Sequence, residues 1–493
     1  MSASFDPDRL ALPSGHFIGG AFVDLPGAEI EVLRPSDHQP LPSIRDGGEE
    51  AVAAAVASAK AALKSSGWAK ASPLERARVL HRFANAVDAK GEELAQIEAV
   101  TSSRLLTLTR ARDVPRTAGV IRYYAEFCDK LEGIVTTTGA DTLSYVKSEP
   151  YGIVGAVVPW NFPLITAAWK FAPALAAGNA VVMKTSELTP HSLLALAAIA
   201  VEAGLPAGLF NVVNGLGGTT GAALVKHPAI GKISFTGSTA TGEAIMTLAA
   251  RHGMKPVTLE LGGKSPQLVF ADVDDLKATA AKVAAGFIDN AGQVCTAGSR
   301  IIVERSIADE FAGMIVERCK AIRPGVTWDE ATDFAPIISA KQAGRIDSLV
   351  RATLGEGARA LTGGTPLETR NAGSFYAPTL FEGVTETMTG YREEFFGPVA
   401  SIHSFDEVEE GIALAGHPTY GLAASVHTSD LKKALKAADG IEAGMVWVGQ
   451  HGRAPEFTYP AGGFKASGFG KDMGRAGIEA FTRQKAVWIN YAG

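Results

Sequence analysis

From residue 151 onward, short apolar runs alternate with alanine- and leucine-rich stretches of helical length, and this alternation restricts the fold more than any other feature. GIVGAVVPW (152–160), NAVVMK (179–184), FNVVN (210–214) and KISFTG (232–237) read as strands covered on both faces, as in a parallel sheet. Helices are expected between them at 166–177, 190–203 and 219–226. The pattern predicts a doubly wound α/β sheet with a nucleotide crevice at the strand ends. A second alternation starts near 263, with strands expected at 265–270, 299–304, 400–405, 422–427 and 444–448 and helices at 273–287 and 306–320. A chain of 493 residues is too long for one core, so two α/β units in sequence fit both length and pattern.

The first third is different. Residues 1–48 are rich in turn formers and predict short strands. EEAVAAAVASAKAALK (49–64) predicts a helix with acids in its first turn. A single helix is expected over 73–100, opened by Pro73 and carrying Leu74, Ala77, Leu80 and Phe83 on one face. Another is expected over 115–130, followed by Thr- and Val-rich strands in 133–149.

A net charge of −6 with acids and bases mixed gives no basic stripe, which argues against nucleic-acid binding. Three cysteines, Cys128, Cys295 and Cys319, make a poor disulfide framework, and no Cys/His spacing suggests a metal site. A reducing cytoplasm fits that usage best, and the N-terminus lacks the basic and apolar regions of a secretory signal. No run is long and apolar enough to predict a membrane span.

Cys295 lies in GQVCTAGSR (292–300), where small neighbours let the backbone approach a ligand. A free cysteine is most often a buried structural thiol, and Cys128 and Cys319, on expected helices, fit that description. Cys295 is a candidate nucleophile because of its company. Glu260 ends an apolar strand before Gly-Gly and is either a turn residue or a base facing a crevice. Asn161 in PWNFP is either a turn former or an amide donor to a developing oxyanion. Gly237 and Ser238 stand where a strand passes into a helix, a place suited to phosphate. Lys184 and Glu187 close another strand, as a solvated pair or as a grip on ribose hydroxyls.

Taken together, PWNFP, KTSE, FTGST, ELGGK, GQVCTAGSR, EEFFGPV (393–399) and GGFKASGFG (462–470) resemble the aldehyde dehydrogenase superfamily in its hydrolytic, non-phosphorylating branch. They stand in the family order over nearly the whole chain. The resemblance implies that Cys295 is the nucleophile, Glu260 the base that activates water, and Asn161 an oxyanion donor beside the Cys295 backbone amide. It implies that Lys184 and Glu187 hold the adenosine ribose, Gly237 and Ser238 the pyrophosphate, and Glu394 the nicotinamide ribose, with Phe396 near the nicotinamide and Trp160 making a backbone contact. Glu187 favours NAD, because a carboxylate repels a 2′-phosphate, with NADP as a weaker alternative. No metal is implied.

By the same resemblance the aldehyde pocket is lined by Phe162, Ile165, Trp169, Arg116, Asp289, Val294 and the segment 451–461. Arg116 points to an anionic substrate and Asp289 to an amine, and the preferred reading is that the two pair with each other or with neighbours. The C-terminal motifs lean to a small ω-substituted or amino aldehyde. Asp472 falls where many relatives carry a Glu in a proton path, and its plainer reading is a surface helix residue.

The expected fold is aldehyde dehydrogenase-like, with two doubly wound α/β domains and a small β-flap. The cofactor domain comprises 1–125 and 150–262, the catalytic domain 263–475, and the flap 126–149 with 476–493. Such a flap covers a neighbour's sheet edge, so a homodimer or homotetramer is expected. Two alternatives remain: a CoA-acylating semialdehyde dehydrogenase, against which Glu260 argues, and a catalytically idle binding or structural protein, against which the trio Cys295, Glu260 and Asn161 argues.

Overall fold

The computed structural model describes residues 5–369, 372–452 and 456–491. Two large sheets carry the architecture. The first has eight strands in the order Ala21–Val23, His16–Ile18, Phe210–Val213, Ala180–Lys184, Ile153–Val157, Lys232–Thr236, Val257–Glu260 and Gly468–Phe469. Its five central strands are parallel. Their residues are almost entirely buried, which is why they read as unbroken apolar runs. Strand order reverses between Ile153–Val157 and Lys232–Thr236, so the loops leaving these neighbours part and open a crevice.

The second sheet has seven strands, with Pro266–Val269 and Arg300–Glu304 at its centre, Val399–Phe405 and Thr379–Glu382 on one side and Ala423–His427 and Met445–Val448 on the other. It is parallel except for the outermost strand, Arg359–Thr362. Gly468–Phe469 crosses back to close the first sheet beside Val257–Glu260, tying the late chain to the first unit. A third sheet, antiparallel, joins Ile134–Thr136, Thr142–Pro150 and Thr482–Asn490.

Two expected helices differ in the structure. The one over 73–100 is two, Pro73–Ala89 and Gly91–Thr101, separated at Lys90, whose φ of −99° and ψ of 21° leave the helical range. Ser72 and Glu75 form a capping box just before Pro73, at the expected start, and the break falls at the Lys90–Gly91 pair. The helix expected to run to 130 ends at Ala125, leaving Cys128 in the turn beyond it, whereas Cys319 lies within Ala308–Lys320. Both thiols are buried, and burial pushes Cys128 up to about 11 and Cys319 up to about 12. No helix of the described residues is long and apolar enough to cross a membrane.

Candidate active site

A cavity of about 450 Å³ lies at the crevice and is lined from both large sheets. The first sheet contributes Trp160 and Asn161 after one strand, Gly237 and Ser238 after the next, and Glu260 at the end of the third. Thr236 and Glu260 face each other in register, and the Gly237 amide donates to the Glu260 carbonyl at 3.0 Å. The candidate phosphate contact and the candidate base are thus neighbours on one sheet edge. Ser238 caps Thr239–Arg251, its hydroxyl accepting from the Thr241 amide, so the helix start faces the cavity with the polarity that suits an anion.

The loop before Arg300–Glu304 brings in Cys295 on a turn closed by the Ala297 amide and the Val294 carbonyl, 2.9 Å apart. The chain enters that turn through three successive left-handed residues: Asn290 (φ 53°), Ala291 (φ 51°) and Gly292 (φ 69°). Gly292 is confined further, because a Cβ there would lie 2.0 Å from the Gly397 carbonyl oxygen. The turn is staked on two sides. Asn161 donates through Nδ2 to the Gln293 carbonyl at 2.9 Å, which leaves its second amide hydrogen for another acceptor. His451 lies 2.9 Å from the Thr296 carbonyl through Nε2 and 3.0 Å from Ser425 Oγ through Nδ1. Burial pushes His451 down to about 4, so it is a neutral ring.

The glycines of ELGGK now have reasons. A Cβ on Gly262 would strike Glu394 Oε2 at 2.2 Å, and one on Gly263 would meet the Cys295 carbonyl oxygen at 2.7 Å. The Gly263 amide donates to Glu394 Oε1 at 3.1 Å. Burial outweighs that bond and pushes Glu394 up to about 7. Arg345 and Gln342, on Ala340–Gly355, donate to the carbonyls of Glu394, Phe395 and Phe396 and hold this segment against the cavity. Phe396 adopts φ 50° and meets Trp160 edge to face at 5.2 Å.

Phe162, Ile165, Trp169, Arg116, Asp289 and Val294 line the same cavity. Lys184 and Glu187 do not, but they close the adjacent strand as a 3.1 Å ion pair in which Lys184 is buried. The pair is therefore only half solvated.

Arg116 lies 5.9 Å from the Phe457 ring, and Asp289 is surrounded by the charges of its neighbours Arg112, Arg104 and Arg318. One expectation needs correction. Asp472 is no surface residue; it is buried, bridged by its backbone to Ala461 and ion-paired with Lys170 at 2.7 Å. Of the segment 451–461, His451 and Gly452 line the cavity, and 453–455 lie outside the described residues.

Sequence reasoning missed Gln342, Arg345 and Lys170, and placed His451 only as part of the segment 451–461. Only Lys170 carried a signal, as the sole charge in the apolar helix Pro163–Ala176. The other three act through backbone carbonyls of distant segments, which no local pattern reveals.

Fold and crevice place the chain in the doubly wound α/β class, with a cysteine at the meeting of two sheets. The aldehyde dehydrogenase family model matches residues 22–487, and the chain belongs to that family. An aldehyde dehydrogenase of Aspergillus niger is 39% identical over 476 residues, 96% of this chain and 95% of that protein. Among solved structures, an indole-3-acetaldehyde dehydrogenase complexed with NAD+ matches with a TM-score of 0.95 at 39% identity, over 98% of both chains. A γ-glutamyl-γ-aminobutyraldehyde dehydrogenase from Burkholderia cenocepacia matches with the same score, identity and coverage.

Proposed function

We propose that the protein oxidises an aldehyde to a carboxylic acid with NAD, through a covalent intermediate on Cys295. The observation that carries this is the convergence of Cys295, Asn161 and Glu260 on one cavity, beside a helix start suited to a pyrophosphate. A dinucleotide fits the donor set. Ser238 and Gly237 sit at the strand–helix junction, Glu187 and Lys184 close the strand Ala180–Lys184 two places along the sheet, and Glu394 is held at the cavity by Gly263. When bound, the nicotinamide supplies the acceptor for the hydride.

The chain's own residues do the rest. The Cys295 thiolate attacks the carbonyl carbon, and the resulting oxyanion takes hydrogen bonds from the free Asn161 amide hydrogen and the Cys295 backbone amide. Once the thioester has formed, Glu260 takes a proton from a water that attacks it, releasing the acid and restoring the thiol. Glu187 favours NAD over NADP by repelling a 2′-phosphate, with Lys184 moderating the preference. NAD complexes among related structures support that cofactor. The aldehyde is read as small and ω-substituted, an amino aldehyde among the choices.

In this reading residues 1–125 and 150–262 form the cofactor domain, 263–475 the catalytic domain, and 126–149 with 476–493 an oligomerisation flap, in a cytoplasmic homodimer or homotetramer. The test is NADH formation over a panel of aldehydes with NAD or NADP, with and without CoA. CoA-independent turnover that disappears in Cys295→Ala, with NAD binding retained, is the expected outcome. Strict dependence on CoA would establish the acylating alternative, and turnover that survives in Cys295→Ala would remove the thiol from the mechanism.

A further inference from the structure

Gln293 stands two residues before Cys295, is fully buried, and is not among the residues that line the cavity. Its polar atoms are all engaged. The backbone amide and the side-chain Nε2 both donate to the Asn290 carbonyl, at 3.1 and 3.0 Å. Nε2 also donates to the Pro336 carbonyl at 3.2 Å, and Oε1 accepts from the Ile338 amide at 2.9 Å. The Gln293 carbonyl in turn accepts from Asn161 at 2.9 Å. Two carbonyls facing Nε2 and one N–H facing Oε1 leave the side-chain amide a single orientation, and burial makes each bond costly to lose. Gln293 therefore ties the turn that carries Cys295 to the segment 336–338.

That segment leads into the other side of the cavity. Ser339 follows it and caps Ala340–Gly355, its hydroxyl accepting from the Gln342 amide at 3.3 Å. From the start of this helix, Gln342 donates to the carbonyls of Phe395 and Phe396, and Arg345 to those of Glu394 and Phe395. Glu394 and Phe396 line the cavity where the nicotinamide half of the cofactor was assigned above. A packing contact runs beside these hydrogen bonds. A Cβ on Gly397 would lie 2.5 Å from Ile346 of the same helix, and a Cβ on Gly292 would lie 2.0 Å from the Gly397 carbonyl oxygen. With both sides of Gly397 closely packed, a shift of the helix or of the turn presses on the other.

Resting on the dehydrogenase reading above, we propose that Gln293 is a positioning residue that couples the cofactor clamp to the nucleophile. A dinucleotide seated on Glu394 and Phe396 loads the helix Ala340–Gly355 through its grip on their carbonyls. Gln293 passes that load, through Pro336 and Ile338, to the turn that presents Cys295. Asn161 is carried along, because its amide is held by the Gln293 carbonyl. Thiol and oxyanion donor are set together by a residue that lines no part of the cavity.

The experiment measures iodoacetamide labelling of Cys295, located by peptide mass, with and without saturating NAD. Gln293→Met keeps the length of the side chain and removes its three hydrogen bonds. In the parent the two labelling rates are expected to differ roughly fivefold or more, and in Gln293→Met to lie within about twofold of each other. NAD affinity, read by cofactor fluorescence, is expected to stay within about threefold of the parent, while kcat falls roughly tenfold. Gln293→Glu retains an acceptor for the Ile338 amide and is expected to give a labelling ratio between those of the parent and Gln293→Met. Equal labelling rates in the parent overturn the proposal. So does a ratio that survives unchanged in Gln293→Met, even with a lowered unfolding midpoint, since that is the mark of a purely structural amide. Where Gln293→Met does not fold, an unchanged ratio in Gln293→Glu overturns it in the same way. Labelling needs no aldehyde, so the two readings fail separately. A parent that oxidises aldehydes with NAD but labels at one rate loses only the coupling, and a parent that neither binds NAD nor turns over loses both.

Discussion

Cys295 owes its position to backbone geometry that side-chain-bearing residues seldom adopt. Asn290 and Ala291 take left-handed conformations and Gly292 completes the run, with the Gly397 carbonyl filling the space a Cβ would need. Gly292→Ala tolerates the φ at about 1 kcal/mol but cannot accept the carbonyl contact, so a loss of about 2 kcal/mol or more is expected. Thermal unfolding measures it, and the labelling rate of Cys295 should change with it. Glu394 makes a second residue-scale prediction. Burial raises it to about 7, so below that pH it is protonated in the folded chain and a poorer acceptor for ribose hydroxyls. NAD affinity is expected to rise as pH passes upward through about 7, and the rise should flatten in Glu394→Gln, as read by cofactor fluorescence. The sign for stability is opposite. A carboxyl whose folded pKa is raised favours the fold at low pH, and that contribution is lost between its ordinary value of 4.5 and about 7. The candidate trio was legible at this scale because Glu260 and Asn161 follow apolar strands and Cys295 stands among small residues. The clamping role of His451 was not, since it lies in the Thr296 carbonyl 155 residues away.

At the scale of elements, the central strands declared themselves through their even apolarity, which burial on both faces requires. Their ends declared the crevice. What escaped was how distant elements are pinned together. Lys170 rises from the apolar helix Pro163–Ala176 to meet Asp472, and neither side chain touches water. Asp472→Asn strands a buried ammonium, and a loss of about 3–5 kcal/mol is expected, measured as a drop in unfolding midpoint. Replacing both partners by apolar residues of similar volume should restore most of it, because the pair's desolvation cost goes with its attraction. An unchanged midpoint in Asp472→Asn would show that the ion pair contributes little to holding these segments. The same pair explains why a surface helix was the wrong expectation for Asp472. The motif around it is glycine-rich and polar, which looks like exposed loop, while the structure seats it against the first sheet through Gly468–Phe469.

The whole molecule leaves one sheet unfinished. Thr482–Asn490 pairs with Thr142–Pro150 on one side and presents its other edge outward, and Ile134, Val135, Trp488 and Tyr491 are exposed on this small sheet. An uncovered apolar edge of this length invites pairing with another chain. Light scattering is expected to give the mass of a dimer or tetramer, and the double change Val135→Glu with Trp488→Glu is expected to reduce it; a monomeric parent would remove the flap from any role in assembly. The strands within 133–149 were legible from their Thr and Val content, but the register between 142–150 and 482–490 joins segments more than three hundred residues apart and had no local signature. Across the molecule, Cys295, Glu260 and Asn161 stand at strand ends and on the turn between the sheets, whereas Arg112, Arg116, Lys282 and Asp289 stand on or just beyond flanking helices. Substitutions on those helix faces can therefore reshape the cavity wall without moving the strand ends.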